Sequence, residues 1–319
     1  MDAIIEKTVK KLEQDAIFPY RSLQPTLVVI HKEDVQDSGA VSYLKSLTKK
    51  AAQYNALIRD ICANTPIEVA QEIKEASYNP SVHGIIIISD YGNMNRTLYN
   101  LIPMRLDIDS LSAMSIGTLV DNISPIAYRN APCTAVACMK IMETLNKSDD
   151  FSQKECLIIG RSIRVGRPLA EILTQKNMTV TLAHSKSPSF KTFNRPYDYT
   201  ISAIGKPKFW NADNPLYAVG YYDNYFIDVG MNFDENGKLC GDIDRDWFNE
   251  EISKSYPSAE SYINPITNGV GLVTTTVLFA KLFNNAADFF CNAAGQFQTS
   301  QKISEPQDIF DTVSNNIIS

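Results

Sequence analysis

Histidine and tryptophan are scarce in this chain of 319 residues, with three of the first and two of the second. Six cysteines (Cys62, Cys133, Cys138, Cys156, Cys240 and Cys291) are scattered with no C-x-x-C pair. Neither a zinc site nor a disulfide framework is therefore expected, and the thiols read as mostly buried residues of a reducing compartment. Positive charge is also in short supply. Thirty Lys and Arg against 36 Asp and Glu leave a net charge of −6, so no broad cationic surface draws the chain to nucleic acid or anionic lipid. No apolar run is expected to reach the roughly 20 residues that span a bilayer. The segment from Met1 to Gln14 carries Asp2, Glu6 and Glu13 among its lysines, unlike a secretory signal or an acid-poor transit peptide. A cytoplasmic location is the expectation. What is present is an ordinary globular balance, 44% hydrophobic and 21% charged, at a length that suggests two domains of about 150 residues.

The hydrophobic pattern divides accordingly. Ile4, Ile5, Val9 and Leu12 form one stripe of an opening helix. Pro25 to Ile30 reads as a buried strand, Val41 to Ile61 as helix, and Val82 to Ser89 as a second strand. The run Ile85-Ile86-Ile87-Ile88 is what a strand covered on both faces looks like, which favours a parallel sheet. A second β-α-β cycle opens near residue 150, with strands at 155–160, 179–183, 199–205 and 225–230 and a helix from Gly166. The fold class expected is α/β, with two α/β domains, the second a doubly wound, Rossmann-like dinucleotide-binding domain. The boundaries expected are 1–147 for the first domain, completed by a C-terminal helix within 274–319, and 148–273 for the second. The Gln/Ser/Asn-rich end, 296–319, reads as loosely held.

The turn Gly160-Arg161-Ser162-Ile163-Arg164-Val165-Gly166 links strand to helix. It departs from G-x-G-x-x-G, yet a strand-end glycine and a helix N-terminus still suit a pyrophosphate. Gly160, Arg161, Ser162, Val165 and Gly166 are the candidate cofactor contacts. At the end of the next strand an NAD site usually places an acid for the ribose 2′-hydroxyl. This chain has Ala183-His184-Ser185-Lys186 instead. Ser185, Lys186 and Arg161 are donors for a 2′-phosphate, so NADP is favoured, with NAD possible.

Six blocks in order carry a family resemblance: Pro132-Cys133-Thr134-Ala135; Ile159 to Ser162 with Val165 to Pro168; His184 to Ser187; Ser202-Ala203-Ile204-Gly205-Lys206-Pro207; Ile227 to Asn232; and Gly269-Val270-Gly271. Over about residues 25 to 290 the chain resembles the methylenetetrahydrofolate dehydrogenase/cyclohydrolase family. The resemblance implies a homodimer of two-domain subunits, with a reduced folate bound between the domains. It implies oxidation of 5,10-methylenetetrahydrofolate by NADP or NAD, then hydrolysis of the methenyl product. It also adds Gly205 to the cofactor contacts, with Tyr43 and Asp109 as the catalytic-site residues.

The departures are concentrated on the folate side. The family pairs its tyrosine with a lysine four residues later; here Tyr43 is followed by Leu47. The family's strand reads Gly-Ile-Leu-Val-Gln-Leu-Pro-Leu-Pro, where this chain has Gly84 to Gly92 with Ile88 in the glutamine's place and neither proline. Asp-Val-Asp-Gly becomes Asp107-Ile108-Asp109-Ser110, and Pro-Gly-Gly-Val-Gly-Pro becomes Thr267 to Leu272. Hydride transfer relies mainly on positioning, whereas hydrolysis wants proton-transfer groups that Leu47 and Ile88 cannot supply. A dehydrogenase with cyclohydrolase lost or weak is expected. Two alternatives stand beside it: a bifunctional enzyme whose acid–base group has moved, to Lys50 or His83, and a non-catalytic or repurposed dinucleotide-binding paralogue.

Overall fold

Asp2 starts the first helix by accepting the backbone N–H groups of Ile4 and Ile5 at 3.0 and 3.1 Å, the side-chain cap that satisfies orphan helix donors. In the computed structural model, which describes residues 2–33, 38–121, 130–188, 193, 195–216, 224–255 and 261–293, this helix is α1 (Ala3–Leu12). A π-turn over Glu13–Ile17 and a 3₁₀ segment over Phe18–Leu23 lead into β1 (Thr26–His31). After α2 (Ser38–Tyr54) comes β2 (Leu57–Cys62), and after α3 (Pro66–Tyr78) comes β3 (Val82–Ile87). The three strands form a parallel sheet in the order β2-β1-β3.

The expected helix from Val41 to Ile61 is corrected here. Asn55 takes a left-handed φ of 64° and ends α2, and Leu57-Ile58-Arg59-Asp60-Ile61-Cys62 becomes an edge strand. Both β2 and β3 lie at an edge of this sheet, but β2 is largely exposed and tolerates the charges of Arg59 and Asp60, whereas β3 is buried throughout and carries the apolar run.

The short helices α4 (Asn95–Leu101) and α5 (Ala113–Asp121) precede α6 (Cys133–Asn146), whose inner face is buried from Cys133 to Met142. The second sheet holds β4 (Glu155–Ile159), β5 (Thr179–Ala183), β6 (Tyr199–Ser202), β7 (Tyr225–Asp228) and β10 (Tyr262–Ile263). All are parallel, in the order β10-β7-β6-β4-β5, so β4 lies between a helical return to β5 and a crossover to β6. That reversal of direction beside β4 is the switch point where doubly wound sheets bind ligands. α7 (Gly166–Gln175) follows β4 with Pro168 in its first turn, where its missing N–H costs little. A small antiparallel hairpin, β8 (Asn232–Phe233) with β9 (Leu239–Cys240), and α8 (Arg245–Ser255) complete this half.

α9 (Val270–Ala293) starts four residues before the expected Thr274 and packs on α1, α6 and β3. Against the expectation of no such run, its stretch Val270–Phe290 is long and apolar enough to cross a membrane, but most of it is buried among the other helices. One continuous core joins Leu27, Leu47 and Ile86 of the first half through Met139 and Phe279 to Ile158 and Ile201 of the second. Each such buried side chain contributes about 1.5–3 kcal/mol. The tail expected over 296–319 lies outside the described residues.

Candidate active site

Parallel sheets bind ligands beyond the carboxyl ends of their strands, and one long side chain links the segments that follow β4 and β3. Arg164, in the loop after β4, donates from Nη1 to Asp109 Oδ2 at 2.7 Å and from Nη2 to the Tyr99 hydroxyl at 2.8 Å. Tyr43, on the first turns of α2, is half-buried beside them. Burial raises its phenol well above the ordinary value, Asp109 and the Cys133 thiol push it further, and Arg164 opposes them. The structure therefore brings Tyr43 and Asp109 together and adds Arg164 and Tyr99, which the sequence reading did not single out.

Asp109 sits in a loop held from behind. Its neighbour Asp107 is buried, accepting from Leu111 N at 3.2 Å, Ser112 N at 2.9 Å and Ser115 Oγ at 2.8 Å. Ser110 takes the left-handed φ of 56° that the family's glycine would adopt freely. Lys281 of α9 compensates: its buried ammonium donates to Ser110 Oγ at 2.8 Å, to the Ile108 carbonyl at 3.2 Å and to the Ala131 carbonyl. A lone lysine within an apolar helix was the sequence signal for such a tether. Cys133 adds a fourth fastening, its Sγ donating to the Ile108 carbonyl at 3.2 Å. Burial pushes that thiol up to about 12, so it stays protonated and serves as a packing group.

Below Tyr43 the chemistry changes to hydrocarbon. Leu47 is 0% exposed in the core, and Ile88, just past β3, packs against the same cluster. Lys50 is committed elsewhere, donating to the Tyr54 hydroxyl at 2.9 Å with Glu13 3.8 Å away. His83 is the second residue of β3, at the opposite end of the strand from Ser89, with Nδ1 accepting from Thr26 N at 3.1 Å.

On the other side, the loop from Gly160 to Gly166 folds tightly on itself. Gly160 has φ of +123°, and a Cβ there would lie 2.2 Å from the Ala203 carbonyl oxygen. Ser162 Oγ accepts Val165 N at 3.1 Å, shaping the turn ahead of α7. Gly205 has φ of +71° with open space where a side chain would be. Arg161, Ser162, Ser185 and Lys186 are exposed around this loop and the end of β5. A concave backbone, a helix N-terminus and exposed donors at the rim suit a dinucleotide diphosphate and a further phosphate. Two buried carboxylates hold the rest. Asp242, unremarked in the sequence, accepts from Ile204 N at 2.7 Å, Gly205 N and Lys206 N at 3.0 Å, Ser202 Oγ at 3.1 Å and Asn232 Nδ2 at 3.0 Å. Asp228 accepts Gly230 N and Asp242 N at 3.0 Å, and burial pushes its carboxyl up to about 6 against the pull of Arg245. Replacing Asp242 by alanine strands several buried donors at about 1–3 kcal/mol each. A fall of at least about 3 kcal/mol is expected in urea unfolding.

A family model described as "Tetrahydrofolate dehydrogenase/cyclohydrolase, NAD(P)-binding domain" matches residues 132–290. The "Bifunctional protein FolD" of Coprothermobacter proteolyticus is 33% identical over 275 residues, covering 84% of this chain and 93% of that protein. The chain belongs to the tetrahydrofolate dehydrogenase/cyclohydrolase family. The family's structures agree: the bifunctional FolD enzyme of Campylobacter jejuni aligns with a TM-score of 0.75 at 25% identity, over 90% of this chain and 96% of that one. A 5,10-methylenetetrahydrofolate dehydrogenase from the silkworm, Bombyx mori, aligns at 0.72 and 26% identity, over 90% and 96%. The sheet β10-β7-β6-β4-β5 is accordingly the NAD(P)-binding part of a tetrahydrofolate dehydrogenase/cyclohydrolase family member.

Proposed function

We propose that this protein is an NADP-preferring methylenetetrahydrofolate dehydrogenase whose cyclohydrolase activity is weak or lost. The observation that carries the reading is Leu47, a fully buried hydrocarbon one helical turn after Tyr43, where the family's pattern has its lysine. Division into a folate-binding unit, 1–147 with the C-terminal helix, and a dinucleotide-binding unit, 148–273, belongs to the same reading, as does assembly into a homodimer.

Gly160, Arg161, Ser162, Val165, Gly166 and Gly205 would hold the dinucleotide, which supplies the hydride acceptor. Asp109 accepts hydrogen bonds from the pterin amino and ring N–H groups, and Tyr43 presents a neutral phenol beside the reacting ring. Holding two rings in register contributes up to about 7–11 kcal/mol without any proton transfer, so the redox step survives the loss of the lysine. Hydrolysis does not. Water must lose a proton and a ring nitrogen must gain one, and each such group is worth about 10²- to 10⁴-fold. Leu47 and Ile88 carry no proton, and Lys50 and His83 are engaged away from Tyr43.

Steady-state assays with methylene- and methenyltetrahydrofolate test the reading. Dinucleotide reduction with hydrolysis close to the buffer rate is expected; rapid hydrolysis overturns the loss, and no reduction with either nicotinamide overturns the enzyme. The NADP preference rests on exposed Ser185 and Lys186 at the end of β5, with no carboxylate between Ala183 and Pro188. Lys186→Ala should raise the NADP KM about ten- to hundredfold, the loss of one charge-assisted hydrogen bond, and leave the NAD KM unchanged.

A further inference from the structure

Arg164 stands on the loop that would cradle the dinucleotide diphosphate, yet its guanidinium is turned to the opposite side of the junction. It donates to Asp109 Oδ2 at 2.7 Å and to the Tyr99 hydroxyl at 2.8 Å, with its Cζ 5.6 Å from the Tyr99 ring centre. It also lies near enough to Asp90 to help lower that carboxyl, behind the hydrogen bonds from Gly92 and Asn95. One cation of the phosphate loop is thus drawn to the carboxylates of the folate side.

The contact is built to exchange. The Arg164 side chain is 46% exposed and that of Asp109 22%, and ion pairs so open to water contribute little net stability. Asp109 is also the carboxylate assigned above to the pterin N–H groups, so a bound pterin and Arg164 compete for it. A guanidinium stays charged at any working pH, so once released it becomes an anion ligand rather than an acid or base. The nearest anion its backbone position serves is the diphosphate over Ser162 to Gly166.

We propose that Arg164 couples the two sites: reduced folate takes Asp109, Arg164 turns back to the dinucleotide diphosphate, and each ligand tightens the binding of the other. The folate half of this exchange rests on the function proposed above. Linkage makes the coupling reciprocal, and couplings of this kind run about 5- to 150-fold. Arg164 acts here as a positioning residue, and the effect it predicts is one of binding, not of turnover alone.

The test is NADPH affinity of the full chain, read by nucleotide fluorescence with and without saturating tetrahydrofolate, which lacks the one-carbon unit and cannot react. Tetrahydrofolate should tighten NADPH by up to about fivefold, the most that releasing an exposed ion pair can return and the low end of such couplings, and Arg164→Gln should bring the ratio to about one while Arg164→Lys retains part of it. A second arm needs no folate. Asp109→Asn removes the competing carboxylate and should tighten NADPH by itself, whereas Asp109→Asn with Arg164→Gln should not. Full coupling in Arg164→Gln, or no tightening in Asp109→Asn, overturns the proposal. Failure of tetrahydrofolate to bind would refute the dehydrogenase reading instead, and the second arm would still decide the role of Arg164.

Discussion

Placing lysine at Leu47 and glutamine at Ile88 together should raise methenyltetrahydrofolate hydrolysis by about 10²- to 10⁴-fold over the parent protein. The geometry favours this. Side chains of an α-helix lean toward its N-terminus, so a lysine at 47 projects from its core position toward Tyr43 and the junction rather than deeper into the protein. Ile88 follows the last residue of β3 at the strand's carboxyl end, beside the same stretch of core, where an amide can orient the amine. Leu47 is 0% exposed, so the amine enters surroundings that disfavour its charged form and lower its pKa, as a proton-transferring lysine requires. Some stability is lost with the leucine, and thermal unfolding of each variant should accompany the assay. Lysine alone should give a smaller gain and glutamine alone none. Dehydrogenase turnover should change by less than tenfold, an order-of-magnitude bound that follows if placement carries that step. A folded double variant that hydrolyses no faster than its parent would move the cause of the loss away from these two positions.

The second sheet was largely legible because its function constrains its local chemistry. The strands at 155–159, 179–183 and 225–228 stand where the apolar runs put them, and the loop from Gly160 to Gly166 has the expected strand-to-helix geometry. β2 was missed because it is largely exposed and needs no continuous apolar face, so Arg59 and Asp60 blurred its pattern into the preceding helix. The replacement of the family's glycine by Ser110 looked disruptive in sequence. In three dimensions the strained backbone is tied down by Lys281, 171 residues away. Asp242 and Arg164 were invisible for the same reason. A carboxylate that gathers N–H groups from another loop, or a guanidinium that reaches a distant aspartate, leaves no periodicity or spacing to read. Tyr43, Asp109 and Leu47 were found only because a motif of known spacing could be laid over them. Hydrophobic pattern and loop chemistry gave the second sheet and its phosphate loop, and resemblance gave the residues of the folate side.

Gly166→Ala should weaken dinucleotide binding by about a hundredfold or more, the cost of roughly 3 kcal/mol at 1.4 kcal/mol per factor of ten. An ideal Cβ at 166 lies 1.9 Å from the Gly160 carbonyl oxygen and 2.7 Å from its carbon. Both are backbone atoms of the same loop, so no side chain can step aside. The loop must open, and overpacking of this kind typically costs about 1–3 kcal/mol in stability as well. Gly205→Ala separates this steric effect from conformational strain. There φ is +71° but nothing lies within 4 Å of the added carbon, so alanine costs only about 1–2 kcal/mol of left-handed backbone strain. NADPH titration and urea unfolding of both variants distinguish the two cases. Gly166→Ala should lose affinity out of proportion to its stability, because the displaced atoms are those that shape the anion cradle. If instead both variants lose affinity only as far as they lose stability, the loop is a structural turn and the cofactor is held elsewhere.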